Sequence, residues 1–162
     1  MTDPYASLLQ HLHAQGLPFA VIGTYALRAY YPAEMRDYAL PDCDAVLPDT
    51  ALNSAISMLL HAGWQLSLWE EPVLGPVSAA EASGKFYLRA RRDGHTLDLT
   101  YACPITWADM GPARVVADGI PYAALAHVVA LKRLKGRPAD LALLTRLEGV
   151  APRTHLHPRG NA

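Results

Sequence analysis

Apolar positions along the chain fall into two rhythms, one of period 3.6 and one of period 2. Tyr5, Leu8, Leu9 and Leu12 recur at helical spacing between Asp3-Pro4 and Gly16. This predicts a helix with an aspartate cap, a proline in its first turn and a glycine stop. Phe19-Ala20-Val21-Ile22 is short and continuously apolar, the mark of a buried strand. Gly23-Thr24 breaks it, and a short helix over about 25–29 follows. A loop over 31–41 leads into a second strand over 43–47. Pro48-Asp49 opens a third helix, with Leu52, Ile56, Leu59 and Leu60 on its apolar face and Gly63 at its end. Residues 64–68 alternate weakly as a strand. Residues 69–83, rich in Pro, Gly and Ala, read as a surface loop.

The sharpest pattern comes next. Two alternating runs, 85–92 and 95–102, flank Asp93-Gly94, a dipeptide suited to a two-residue hairpin turn. Such a turn sets the register: Arg92 opposite His95, Arg91 opposite Thr96, Ala90 opposite Leu97, Arg89 opposite Asp98 and Leu88 opposite Leu99. Tyr87, Arg89, Arg91, Thr96, Asp98 and Thr100 then share one face. Phe86, Leu88, Ala90, Leu97 and Leu99 share the other, which is expected to be core. Residues 103–114 read as irregular. Asp118-Gly119 marks a second small hairpin or a strand end, 123–135 a helix ended by Gly136, and Pro138 the start of a last helix closed by Gly149. Leu125, Val128, Val129, Leu131 and Leu134 are the apolar positions of the first of these helices, and Leu141, Leu144 and Leu147 those of the second. From Val150 onward no apolar period remains, so 1–149 is expected to be one domain and 150–162 a flexible tail. His155 and His157 in that tail read as solvated rather than as metal ligands. Strands interleaved with helices place the chain in the α/β (α+β) class.

Composition changes little in this picture. The chain has 162 residues, of which 51% are hydrophobic, enough for one packed core and too few for two domains. A net charge of −1 gives no global pull toward nucleic acid or membrane, so any polyanion needs a local basic patch. No apolar run approaches a membrane span. Two cysteines, Cys43 and Cys103, and no leader ahead of the first helix give a reduced, cytoplasmic setting as the expectation.

Candidate chemistry concentrates in Asp42-Cys43-Asp44. Period-2 geometry puts the two carboxylates on one strand face, roughly 6–7 Å apart by strand rise. Their mutual repulsion calls for a cation, and a divalent metal offsets it best. The plainer alternative is that Asp42 is a turn residue after Pro41 and Asp44 a solvated strand position. Upstream, Gly23 lets a ligand approach the backbone, and the start of the following helix offers N–H groups to a phosphate. Downstream, Asp98 sits mid-strand, where aspartate is disfavoured; its alternative reading is a cross-strand ion pair with Arg89.

Strand, Gly23-Thr24, helix, then Asp42-x-Asp44 on the next strand and Asp98 on a later one: this order resembles the nucleotidyltransferase superfamily, particularly its small bacterial minimal and abortive-infection or toxin-type members. The resemblance spans about residues 8–148 and implies a mixed β-sheet flanked by helices, the polymerase-beta-like fold. Thr24 stands where the family has Gly or Ser. Arg36 stands where it often carries an Arg-x-Thr-x segment, though Arg36 lies six residues ahead of Asp42, with Pro41 between. Lys132 and Arg137-Pro138-Ala139-Asp140 resemble a Lys followed by an Arg-x-x-Asp segment of the small members. The resemblance implies a Mg2+-dependent (or Mn2+-dependent) enzyme that passes a nucleoside monophosphate from a triphosphate such as ATP to a hydroxyl of RNA, protein or a small molecule. Asp42, Asp44 and Asp98 would be its catalytic and metal-binding residues. Gly23, Thr24, Arg36, Arg89, Arg91 and Lys132 would bind nucleotide. For Lys132 and Arg137 a solvated helix face and a cap are equally open. A second implied reading is a non-catalytic domain of the same fold, acting as an antitoxin-like partner of a protein encoded elsewhere, with Arg36, Arg89 or Arg91 in the metal position.

Overall fold

In the computed structural model, which describes residues 3–40, 42–153 and 156, Asp3 caps the first helix as its position ahead of Pro4 predicts. Its Oδ1 accepts from the N–H groups of Tyr5 and Ala6, at 2.9 and 3.2 Å, and α1 runs Ala6–Ala14. The apolar run after Gly16 gives β1 (Ala20–Ile22), all three residues buried. The chain turns directly into α2 (Gly23–Tyr30) and returns as β2 (Asp42–Val46). A single 3-10 turn leads into α3 (Leu52–His61) and then β3 (Gln65–Leu68).

The Pro-rich stretch after β3, expected as loop, contains a strand and a short helix. β4 (Glu71–Val73) pairs antiparallel with β3 through a two-residue turn at Trp69-Glu70. It lies at the sheet edge, where Pro72 removes no needed donor. α4 (Ala79–Ala82) starts in a capping box: Ser78 Oγ accepts from Glu81 N–H and Glu81 Oε2 accepts from Ser78 N–H. That Ser-x-x-Glu signal was in the sequence, under the Pro and Gly around it.

β5 (Tyr87–Arg92) and β6 (His95–Thr100) pair in the register set by the Asp93-Gly94 turn, from Arg92 opposite His95 to Tyr87 opposite Thr100. Both turn residues have positive φ, 50° and 80°, which Asp-Gly accommodates. The stretch expected to be irregular holds α5 (Trp107–Ala113), started by Thr106, whose Oγ1 accepts from Asp109 N–H. Gly111-Pro112 inside it hid the helical signal. β7 (Val115–Ala117) and β8 (Ile120–Tyr122) form the small hairpin. α6 (Leu125–Lys135) and α7 (Pro138–Leu147) follow. Leu134 and Leu141, expected on apolar faces, are exposed, whereas Lys132 is buried. Beyond Val150, Arg153 N–H donates to the Tyr30 carbonyl and Leu156 is buried. His155 and His157 lie outside the described residues.

Among the described residues eight strands form one open sheet, in the order β4-β3-β5-β6-β2-β1-β8-β7. It is mixed: β2 runs parallel to β6 and β1 to β8, and the other neighbours are antiparallel. The architecture is therefore a mixed β-sheet with helices packed against it. Leu66, Leu68, Leu88, Ala90, Leu97, Leu99, Cys43 and Ala45 line the core face, all buried; Phe86, expected there, lies ahead of β5 at φ +67° and is exposed. The opposite face of the same strands carries the polar residues, and the candidate site is there. Among the described residues no helix is long and apolar enough to cross a membrane.

Candidate functional site

Strand register builds the site. Asp44 pairs with Ile22 on one side and with Asp98 on the other, across the parallel β2–β6 contact. Asp98 pairs with Arg89, and Arg89 with Ser67. One transverse row thus reads Ile22, Asp44, Asp98, Arg89, Ser67, and the next reads Asp42, Thr96, Arg91, Gln65. Paired residues on neighbouring strands lie on one face, about 4.8 Å apart along the hydrogen-bonding direction. Asp42, Asp44 and Asp98 are brought together from segments more than fifty residues apart in sequence.

The three carboxylates differ in their surroundings. Asp98 is held by Arg89, whose Nε and Nη2 donate to its two oxygens, each at 2.8 Å. That bidentate fork raises the Arg89 guanidinium further above its ordinary range. Arg89 also lies over the Tyr87 ring, 5.3 Å from its centroid. Asp42 is exposed. Asp44 is partly buried, and no hydrogen bond or ion pair joins it to another described side chain. Burial pushes its carboxyl up. Asp98 and Asp42 add to the rise, and Lys135 and Lys132 oppose it without cancelling it. Asp44 is therefore a carboxylate facing two others, with two lysines too far away to pair with it.

Gly23 closes the site from below. Its φ is +68°, and a Cβ built on it would stand 3.1 Å from Asp44 Oδ2. The glycine both permits the left-handed turn into α2 and leaves room for that oxygen. Gly23→Ala is expected to destabilise the domain by about 1–2 kcal/mol from the backbone alone, read as a lowered thermal midpoint, and to displace the Asp44 carboxylate as well. Among the described residues no side chain caps α2, which leaves its first-turn N–H groups without a side-chain acceptor there.

Thr24 is tied to the closing helices: Lys132 Nζ donates to Thr24 Oγ1 at 3.1 Å and to Asp140 Oδ1 at 2.7 Å. Arg137 Nε donates to the other Asp140 oxygen at 2.8 Å. Burial pushes the Asp140 carboxyl up, but the bonds from Lys132 and Arg137 outweigh it and hold it below its usual value. The solvated-face alternative for Lys132 is thereby replaced by a buried bridge from α6 to the α2 turn. Arg36 is exposed in the turns after α2 and makes no ion pair or hydrogen bond among the described residues, so the structure does not draw it into the site. Arg91 is exposed on the same face as Asp98 and is likewise without a partner among the described residues.

For a metal, the donor set is incomplete as it stands. Among the described residues no three His, Cys, Asp or Glu side chains form a cage for an ion, and Arg89 holds both oxygens of Asp98. Asp42 and Asp44 remain, and two carboxylates suit Mg2+, which keeps most of its waters. Lys135, whose charge reaches Asp44, is a site residue that no motif in the sequence marks. A search with known family models and with curated proteins finds no match to the chain.

Proposed function

We propose that the protein is a Mg2+-dependent nucleotidyltransferase of the polymerase-beta-like fold, passing a nucleoside monophosphate from a triphosphate to a hydroxyl acceptor with release of pyrophosphate. The observation that carries this reading is Asp44. It is a partly buried carboxylate without a partner among the described residues, raised by burial and by two further carboxylates, beside a glycine turn that opens a helix. A protein gains no stability from such a group, and perturbed carboxylates gather where a function needs them.

Asp42 and Asp44 would hold the ion, with Asp98 joining them once Arg89 lets go. The ion would supply charge neutralisation on the phosphate oxygens, in a displacement where the attacking and leaving oxygens lie in line. The chain does the rest. Gly23 and the first-turn N–H groups of α2 receive phosphate oxygens. Lys132 fixes the Thr24 hydroxyl and places a positive charge behind it. Lys135 adds positive potential over the carboxylates. Arg89, released from Asp98, presents its fork to a phosphate.

The test is transfer of label from α-labelled ATP, GTP, CTP or UTP, with Mg2+, to RNA, protein and small-molecule fractions. Label is expected in one fraction, and the Asp42→Ala/Asp44→Ala chain is expected to lose it by roughly a thousandfold, the several kcal/mol that metal stabilisation of the transition state is worth. Transfer that survives in the double variant would remove the mechanism.

One observation favours the second reading, a non-catalytic domain of this fold acting as a binding or antitoxin-like partner. It is the two-oxygen grip of Arg89 on Asp98, which puts a cation of the chain's own where the metal would need that carboxylate. A thermal-shift titration separates the two: triphosphate with Mg2+ raises the midpoint of the enzyme by mass action and leaves the degenerate domain unmoved.

A further inference from the structure

A cavity of about 850 Å3 opens beside the carboxylates, between the Trp69-Glu70 turn and β5, with Trp69, Tyr87, Arg89 and Arg91 in its wall. Three observations point to a ligand there. First, Trp69 is 52% exposed and sits at φ +54°. The first position of a two-residue hairpin turn takes this conformation and favours glycine, so a bulky side chain there is unusual. Here the conformation presents an indole to the cavity. Second, Tyr87, Arg89 and Arg91 alternate along one strand face, roughly 6–7 Å apart in succession. Third, the charges in the wall do not all cancel. Lys85 pairs with Glu71 and Arg89 with Asp98, which leaves Arg91 at one end and Glu70 at the Trp69 end, neither with a partner among the described residues.

We propose that this cavity is a second ligand site, for a planar ring carrying a phosphate: a nucleotide unit with its ring on Trp69 and Tyr87 and its phosphate on Arg91. Aromatic faces take any base by stacking, and a guanidinium fork takes a phosphate. Glu70 repels the phosphate from the indole end and accepts from an amino group on the ring, so the ligand has one orientation. The phosphate end then lies on the row that carries Thr96 and Asp42, with Arg89 between the site and Asp98. The site names the acceptor class for the transfer proposed above, and in that role it rests on that reading; as a binding site it stands alone. The same chemistry has two sources, a free mononucleotide or the end of a single strand.

The experiment is calorimetric titration of the full chain, in EDTA and without triphosphate, with adenosine monophosphate and separately with single-stranded hexaadenylate. Binding is expected, and Trp69→Ala and Arg91→Ala, both at exposed positions, should each weaken it by about 5- to 150-fold. Tighter binding of the hexamer identifies a strand end, and equal binding a free nucleotide. Asp42→Ala/Asp44→Ala should still bind. Absence of binding up to millimolar ligand, or unchanged binding in both single variants, overturns the site. If binding behaves as expected but no transfer is found, the enzyme reading falls and the site stands. If transfer is found and is unchanged in Trp69→Ala/Arg91→Ala, the acceptor role falls and the enzyme reading stands.

Discussion

Asp140→Ala is expected to destabilise the domain by about 3–5 kcal/mol, the range for removing one partner of a buried ion pair. The variant strands the Lys132 ammonium at 4% exposure, with the Thr24 hydroxyl its one remaining acceptor among the described residues. Urea unfolding reads the loss as a lower midpoint. A second substitution, Lys132→Met, made in the Asp140→Ala background, should recover a large part of it, because the cost lies in the orphaned charge rather than in the missing bond. The pH dependence follows from the lowered Asp140 carboxyl. A carboxylate held below its unfolded value contributes stability that is present above the unfolded value and is lost as pH falls through the folded one. The wild-type advantage over Asp140→Ala should therefore shrink as pH falls through the acid range. Since Lys132 also fixes Thr24, the same variant should loosen the turn that begins α2.

Asp44→Asn is expected to do the opposite to stability while removing activity. Burial raises the Asp44 carboxyl, with Asp98 and Asp42 adding to the rise, so its charged form is disfavoured in the fold. For an aspartate raised in the fold, the penalty is absent below the unfolded value, grows as pH rises through it, and is complete above the folded value. The amide keeps the shape and drops the charge, so the thermal midpoint at pH 7 should rise, by about 2–4 °C if the gain is about 1 kcal/mol. The gain should vanish at acid pH, where both forms are neutral. With Mg2+ and triphosphate present the order should reverse, because only the wild type is stabilised by binding. A gain in stability on removing a site residue is the expected signature of a group kept for function. Equal midpoints for the two proteins at pH 7 without metal would count against the strain assigned to Asp44.

Local patterns carried a good part of this in advance. The Asp93-Gly94 turn fixed the β5–β6 register, and with it the face shared by Arg89 and Asp98. Period 2 put Asp42 and Asp44 together. The parallel pairing of β2 with β6, which sets Asp44 beside Asp98, was not readable from spacing, because nothing local records which distant strand a strand will choose; the family resemblance pointed only to Asp98 as a third carboxylate. Lys132 belongs to a basic run that looks solvated, and its burial depends on Asp140 from the next helix. Trp69 sat in a stretch dominated by Pro, Gly and Ala, where the two-residue turn and the capping box at Ser78 were masked. The bidentate Arg89–Asp98 pair was legible as one of two alternatives, and the structure contains it.

Mn2+ titration followed by electron paramagnetic resonance, in the presence of a nonhydrolysable triphosphate, measures cation capture without any knowledge of the acceptor. Mn2+ is expected to bind the wild-type chain beyond that held by the triphosphate alone, to be lost in Asp42→Ala/Asp44→Ala and to bind more strongly in Arg89→Gln, where Asp98 is released. A wild-type chain that captures no Mn2+, or a double variant that captures it as well as the wild type, would contradict the claim that these carboxylates are arranged to hold a cation.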